Sequence, residues 1–186
     1  FAVHNIYQRV NLVINRQLKR IIALSMVVGT VTSMLYFLLL IVGLDPWYDP
    51  QYFIPISGML VGNSMTGISL GVERLIAGMR ENKAKVRLAL MLGATPKQAS
   101  QQVVNSAFNA AILPTINSMM GMGIIFLPGM MTGQILSGVA PLTAIEYQIA
   151  IMLGILGSVT LTVTLLVYLG YRTFFNQRAQ LQEDRL

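Results

Sequence analysis

IIALSMVVGTVTSMLYFLLLIVG, residues 21–43, contains no Asp, Glu, Lys or Arg. A helix rising 1.5 Å per residue needs about 20 apolar residues to cross a hydrocarbon core of roughly 30 Å, and this stretch is long enough. Three others resemble it: Ile54–Val72, short and rich in small residues; Ala107–Leu127, interrupted by Pro114 and carrying Asn109 and Asn117; and Ile149–Tyr171, rich in Leu, Val and Thr. None alternates with the period of two that marks the wall of a membrane barrel. The expected fold is therefore all-α, a polytopic transmembrane bundle with four spans in these residues.

Composition agrees. The 186 residues are 54% hydrophobic and 11% charged, against roughly 25% charged in a soluble domain, and the mean hydropathy is +0.63. A net charge of +6 would suggest nucleic acid in a soluble protein, but here the charges lie between apolar runs and read as topology signals. Segments 1–20, 73–106 and 172–186 hold all thirteen Lys and Arg, while 44–53 and 128–148 carry only Asp45, Asp49 and Glu146. The positive-inside bias then puts both visible termini and residues 73–106 in the cytoplasm, with no nucleic-acid partner. Trp47, Tyr48 and Tyr52 fit an aromatic belt at the outer interface. With no cysteine there is no disulfide or thiolate site. Residue 1 is Phe within a polar segment, so the chain is expected to be the N-terminally truncated remainder of a longer one. Residues 1–186 read as one membrane domain, without internal repeat or low-complexity linker.

The cytoplasmic segment 73–106 places Leu75, Ile76, Met79, Val86, Leu88 and Leu90 at helical spacing among charged residues, so the second span is expected to continue as an amphipathic helix. Gly93 supplies a helix stop. Thr95-Pro96-Lys97-Gln98 supplies a restart, with Thr95 as N-cap, Pro96 at the first helical position and Gln98 closing a capping box. The corner Leu92, Gly93, Ala94, Thr95, Pro96, Lys97, Gln98 is either an ordinary turn between helices or a rigid element that docks on a partner and transmits its motion.

LALMLGATPKQA (88–99) resembles the cytoplasmic coupling loop of ABC importer permeases, with Arg87 where that loop often opens on an acidic residue. Together with IPISGMLVGNSM (54–65), ILPT (112–115), LPGMMTGQILSG (127–138) and AIEYQI (144–149), it is similar in order and content to the FetB-type ABC permeases, a family of bacterial iron exporters and plant permeases linked to aluminium tolerance. The resemblance implies a permease of the bacterial inner (plasma) membrane with further N-terminal spans, working as a homodimer with an ABC ATPase subunit and exporting metal. It also implies that the corner 92–98 couples to that ATPase. No cofactor is expected on this chain, with ATP and Mg on the partner subunit. Independently, the chain contains no G-x-x-x-x-G-K-[ST] phosphate loop, so it is not expected to be an enzyme by itself.

Polar residues within a bilayer are costly and often functional. Asn63, Ser64 and Thr66 lie among Gly58, Gly62, Gly67 and Gly71, a pattern that serves close helix packing or a translocation path. Pro114, Asn117 and Ser118 interrupt the third span, either as a kink or as a break that frees carbonyls toward a cavity. Related permeases carry Asp and Lys in a D-S-x-K-T-V-G-like pattern there; residues 117–123 read NSMMGMG, without either charge. Pro128 and Gly129 end that span, and Gly129–Thr143 is apolar enough to re-enter the membrane but too short to cross it. Met119, Met120 and Met122, with Met130 and Met131 nearby, suit a soft metal ion or adaptable packing. Glu146 reads as a cation acceptor at the outer end or a solvated interfacial carboxylate, and His4 as solvated. The competing functions are a permease for an organic solute such as a sugar nucleotide and a membrane scaffold that carries nothing.

Overall fold

A computed structural model describes residues 16–42, 50–122, 129–176 and 178–182. Its helices are α1 (Arg16–Tyr36), continued by a π-helical stretch Phe37–Val42; α2 (Pro50–Glu81); α3 (Lys83–Met91); α4 (Pro96–Gly121); α5 (Gly129–Leu136); and α6 (Pro141–Gly170), closed by a 3₁₀ turn Tyr171–Phe174. No strand occurs among the described residues, and Phe175 and Leu181 pair in an isolated bridge.

The long helices alternate in direction, and small residues show how. A Cβ on Gly29 of α1 would lie 2.9 Å from the Thr162 Cα, and one on Gly154 would lie 2.6 Å from the Phe37 ring, so α1 and α6 are antiparallel and in close contact. Gly67 of α2 meets Val159 and Val163, and Gly71 meets Leu166, so α2 runs parallel to α6. Gly78 meets Val103 and Gly71 meets Ala111, so α4 runs back along α2. Close approach at small residues is how helices associate where lipid removes the hydrophobic drive between them. Leu18, Leu75 and Gly170 come together, and Lys97 lies over Tyr168. The start of α1, the end of α2, the start of α4 and the end of α6 therefore share one end of the bundle. The described Lys and Arg residues gather there, and Glu146 stands toward the other end.

Two apolar clusters hold these helices. The larger includes Leu18, Ile22, Leu75, Met79, Val86, Val103, Leu166 and Phe174 at the basic end. The smaller joins Phe37, Leu38, Ile56, Leu60 and Ile151 at the other.

Among the described residues, three helices are long and apolar enough to cross a membrane: Arg16–Leu39, Phe53–Glu81 and Pro141–Phe174. They match the first, second and fourth expected spans. The third, 107–127, is not among them. Its helix begins earlier, at Pro96, takes in Lys97, Gln98, Gln101, Gln102, Asn105 and Asn109, and stops at Gly121. Pro114 does not split α4, which passes through it unbroken. The second span continues to Glu81 as expected, with Leu75, Ile76 and Met79 buried. Asn82 then interrupts the path before α3. Within 129–143, α5 spans only eight residues, about 12 Å, before a turn whose Gly138 takes φ +93°. His4, Trp47, Tyr48 and Pro128 lie outside the described residues, as does the Tyr52 side chain.

Candidate functional site

The corner between α3 and α4 is locked from both sides. Gly93 adopts φ +88°, a left-handed conformation that costs a Cβ-bearing residue energy. That turn lets Gly93 N donate to Leu90 O at 3.1 Å and Ala94 N to Ala89 O at 3.0 Å, the paired bonds of a Schellman stop. One residue later Thr95 N donates to Gln98 Oε1 at 2.9 Å and Gln98 N donates to Thr95 Oγ1 at 3.4 Å, completing the expected capping box. Leu92, Gly93, Thr95, Lys97 and Gln98 are exposed, and Ala94 and Pro96 half-buried.

Apolar side chains project beside that corner. Met91 is 81% exposed, Leu92 80% and Leu88 59%. On spacing, Leu88 belongs to the apolar face of an amphipathic helix; the fold buries Val86 of that face and leaves Leu88 outside. A groove of about 540 Å³ lies alongside, lined by Arg87, Leu90, Met91 and Ala94 and by Arg178–Leu181 from beyond α6. This second wall has no signal in the sequence. It forms because Asn176 Oδ1 accepts from Arg178 N at 2.9 Å and Gln180 N at 2.8 Å, turning the chain back so that Gln182 N reaches Phe174 O at 2.9 Å. At the corner's rim, the Lys97 ammonium stands 5.4 Å from the Tyr168 ring centre. Tyr168 beside it is the largest influence raising the lysine's pKa above its usual value.

The expected path residues do not share one surface. Ser64 is fully buried and its Oγ lies 3.0 Å from Ser158 Oγ, inside the contact of α2 with α6. It fastens helices rather than lining an open face. Asn63 is half-buried and donates to Met59 O at 2.8 Å, Thr66 is exposed and donates to Gly62 O at 3.3 Å, and exposed Ser118 donates to Pro114 O at 2.9 Å. These side chains bond the carbonyl one turn back, a local satisfaction that tolerates an apolar setting. Pro114 is half-buried, and Asn117 and Glu146 are exposed.

A polar surface emerges on other residues. Gln102, Asn105, Asn109, Leu113, Asn117 and Met120 are all exposed, and steps of three or four make them one stripe along α4. On α2, Gly58, Gly62, Thr66 and Glu73 are exposed, with open space over Gly58 and Gly62. The amide spacing Asn105–Asn109–Asn117 is readable in the sequence, but only the fold shows that it points away from the bundle. By contrast, the cavity of about 520 Å³ between α1 and α6 is lined by Thr32, Ser33, Tyr36, Phe37, Leu153, Gly154, Gly157, Ser158 and Leu161 and is mainly apolar.

No group of three or more His, Cys, Asp or Glu converges among the described residues. Of the sulfur candidates, Met119 is half-buried and Met120 is 65% exposed, about 100° further round the helix. Met122 Sδ accepts from Gln148 Nε2 at 3.7 Å.

Comparison with known proteins adds independent findings. The model of UPF0014, described as an uncharacterised protein family, matches residues 1–175. A UPF0014 membrane protein of Synechocystis is 43% identical over 158 residues, covering 85% of this chain and 61% of that protein. Protein ALUMINUM SENSITIVE 3 of Arabidopsis thaliana is 40% identical over 164 residues, covering 88% of this chain and 59% of that protein. The probable iron export permease protein FetB of Escherichia coli is 38% identical over 139 residues, covering 75% and 54%. The chain thus spans between about half and three-fifths of these relatives. No solved structure matches it.

Proposed function

This chain belongs to the UPF0014 family of membrane proteins, and from that premise we propose that it is the membrane-embedded permease subunit of an ABC transporter. In this reading α4 is a fourth crossing, the basic end of the bundle faces the cytoplasm, and a separate ATPase grips the Gly93–Gln98 corner. The observation that carries it is the corner itself: a turn capped on both sides, with Met91, Leu92 and Leu88 outside and Arg87 and Lys97 at its rim. Such a surface suits an apolar pocket edged with carboxylates.

The solute path lies along the outward stripe of α4 and the small-residue face of α2, where Asn109, Asn117, Ser118 and Thr66 are exposed. Amides facing hydrocarbon are unfavourable, and a second copy of the permease would cover them and complete the path. Ser64 acts as a packing residue, and Glu146 marks the outer mouth. The cargo is a metal ion moved outward, the activity named for the FetB relative; Met119, Met120 and Met122 would serve a soft ion at the far end of α4. A second reading, an organic solute, is favoured by one observation: the described stripe offers amide hydrogen bonds rather than carboxylates.

The test is ATP hydrolysis by the reconstituted permease–ATPase complex across a metal panel and a panel of polar organic solutes. A metal that stimulates turnover supports export of that ion, and stimulation only by an organic solute selects the second reading. Gly93→Pro or Thr95→Arg should uncouple hydrolysis from transport while the protein remains inserted; normal coupling in both removes the corner from the mechanism. If no ATPase co-purifies and no solute moves, the chain is a scaffold instead.

A further inference from the structure

The basic end of α6 contains a feature that the transport reading leaves unused. Ile149, Leu153, Gly157, Leu161, Thr164, Tyr168 and Arg172 are all exposed and recur at three- to four-residue steps, so they form one stripe down the helix. Its upper part is aliphatic, the surface a span presents to acyl chains. Its lower part ends on a tyrosine and then an arginine, one turn apart, where the candidate span Pro141–Phe174 finishes. Amphipathic rings collect at the headgroup level of a bilayer, and Tyr168 and Tyr171 pack there edge to face, with ring centres 6.4 Å apart at 82°.

A second cation arrives from another helix. Lys97, in the first turn of α4, sits over Tyr168 and lines the same cleft as Arg172. Between the two helices lies a cleft of about 300 Å³ lined by Thr95, Pro96, Lys97, Tyr171, Arg172, Phe175 and Asn176. Two cations on one concave surface, with no carboxylate among the described residues that line it, at the foot of an aliphatic stripe, match the outline of one molecule. Basic pockets between spans at the interface hold anionic headgroups in this way.

We propose that the cleft between the start of α4 and the end of α6 binds the phosphate headgroup of an anionic phospholipid through Lys97 and Arg172, its acyl chains lying along Leu161 and Leu153. The tyrosines mark the depth, Asn176 and Thr95 add hydrogen-bonding groups, and the lipid bridges the base of a span to the α3–α4 corner. An acidic side chain from a soluble partner could neutralise the same cations, but it would make no use of the aliphatic stripe that leads into them.

The test uses the purified, delipidated protein in neutral detergent, titrated with phosphatidylglycerol or phosphatidylcholine and read by native mass spectrometry and thermal stabilisation. No step depends on what the protein transports, so failure here is separate from failure of the transport reading. Phosphatidylglycerol should bind preferentially, and Arg172→Gln and Lys97→Gln should each weaken it roughly fivefold, following about 1 kcal/mol per basic residue at a membrane surface. Arg178→Gln, with the same charge change beyond the cleft, should retain the preference. Arg172→Lys should rescue most of it, which separates lost binding from misfolding. Equal binding of the two lipids, or equal loss in all three glutamine variants, would overturn the site. Saturation by inorganic phosphate with the same affinity would make it a phosphate site and not a lipid one. Loss of an ATPase subunit on Arg172→Gln, without any lipid preference in the parent, would assign the cleft to a protein partner.

Discussion

The outward surfaces of α1 and α6 and those of α2 and α4 are built from different chemistry. On the first pair the large apolar side chains that are exposed include Leu24, Val27, Val28, Val31, Leu35 and Leu39 on one helix and Ile145, Ile149, Leu153 and Leu161 on the other. On the second pair, Ile54 is the large exposed apolar residue of α2, and α4 shows Leu113, Ile116 and Met120 among Gln102, Asn105, Asn109, Asn117 and Ser118. Both pairs contribute equally to the interior, so packing does not explain the contrast. The surroundings do: one side is finished for hydrocarbon, and the other is finished for protein or a wet path.

The largest effect should come from reversing that chemistry. Leu153→Arg places a charge on the lipid-facing side, at a cost of about 2.5–3.5 kcal/mol at a span's centre, and should deplete the protein from the membrane fraction. Asn109→Arg introduces the same charge on the other side and should leave insertion near normal while impairing transport. Equal depletion by both would erase the distinction.

Glycine offers a finer comparison, between a closed face and an open one. Gly29→Val drives a side chain into Thr162 and should cost about 1–3 kcal/mol as overpacking, seen as a lower unfolding temperature in detergent. Gly62→Val, with open space around it, should leave that temperature unchanged in the isolated chain and weaken pairing of two copies. A destabilised Gly62→Val protomer would mean that face is already filled. The smallest effect concerns Ser64→Ala. Removing its contact with Ser158 should cost only about 0.6 kcal/mol, the average for a hydrogen bond between helices in a membrane, with transport kinetics intact. A selective loss of transport would return Ser64 to the path.

How far the fold could be read in advance depended on the range of the interactions involved. The corner's geometry was legible, because the bonds of Gly93 and Ala94 to Leu90 and Ala89 and the box of Thr95 with Gln98 close within ten residues. Three spans were legible from continuous apolarity alone. For 107–127 that criterion placed the start of the helix too late, because it begins a helix where polarity ends, whereas α4 starts at its cap and carries Lys97 and four glutamines and asparagines before its apolar half. The side of α2 on which Ser64 lies was not legible either. Asn63, Ser64 and Thr66 are equally polar, and only the arrival of Ser158 from ninety-four residues away separates the buried one from the exposed. The return of Arg178–Leu181 onto the corner depends on Asn176 and on burial of Phe174 and Phe175, contacts that no local pattern announces.

One residue, Ala94, separates the stop of α3 from the cap of α4, which leaves the corner no slack. In the proposed coupling, a rotation imposed on α3 would pass through the turn to α4, which Pro114 does not interrupt. That helix would then act as a lever whose far end, Met120, stands roughly 36 Å from Pro96, so a tilt of about 5° would sweep it by about 3 Å. The exposed amides of α4 would ride on that arm.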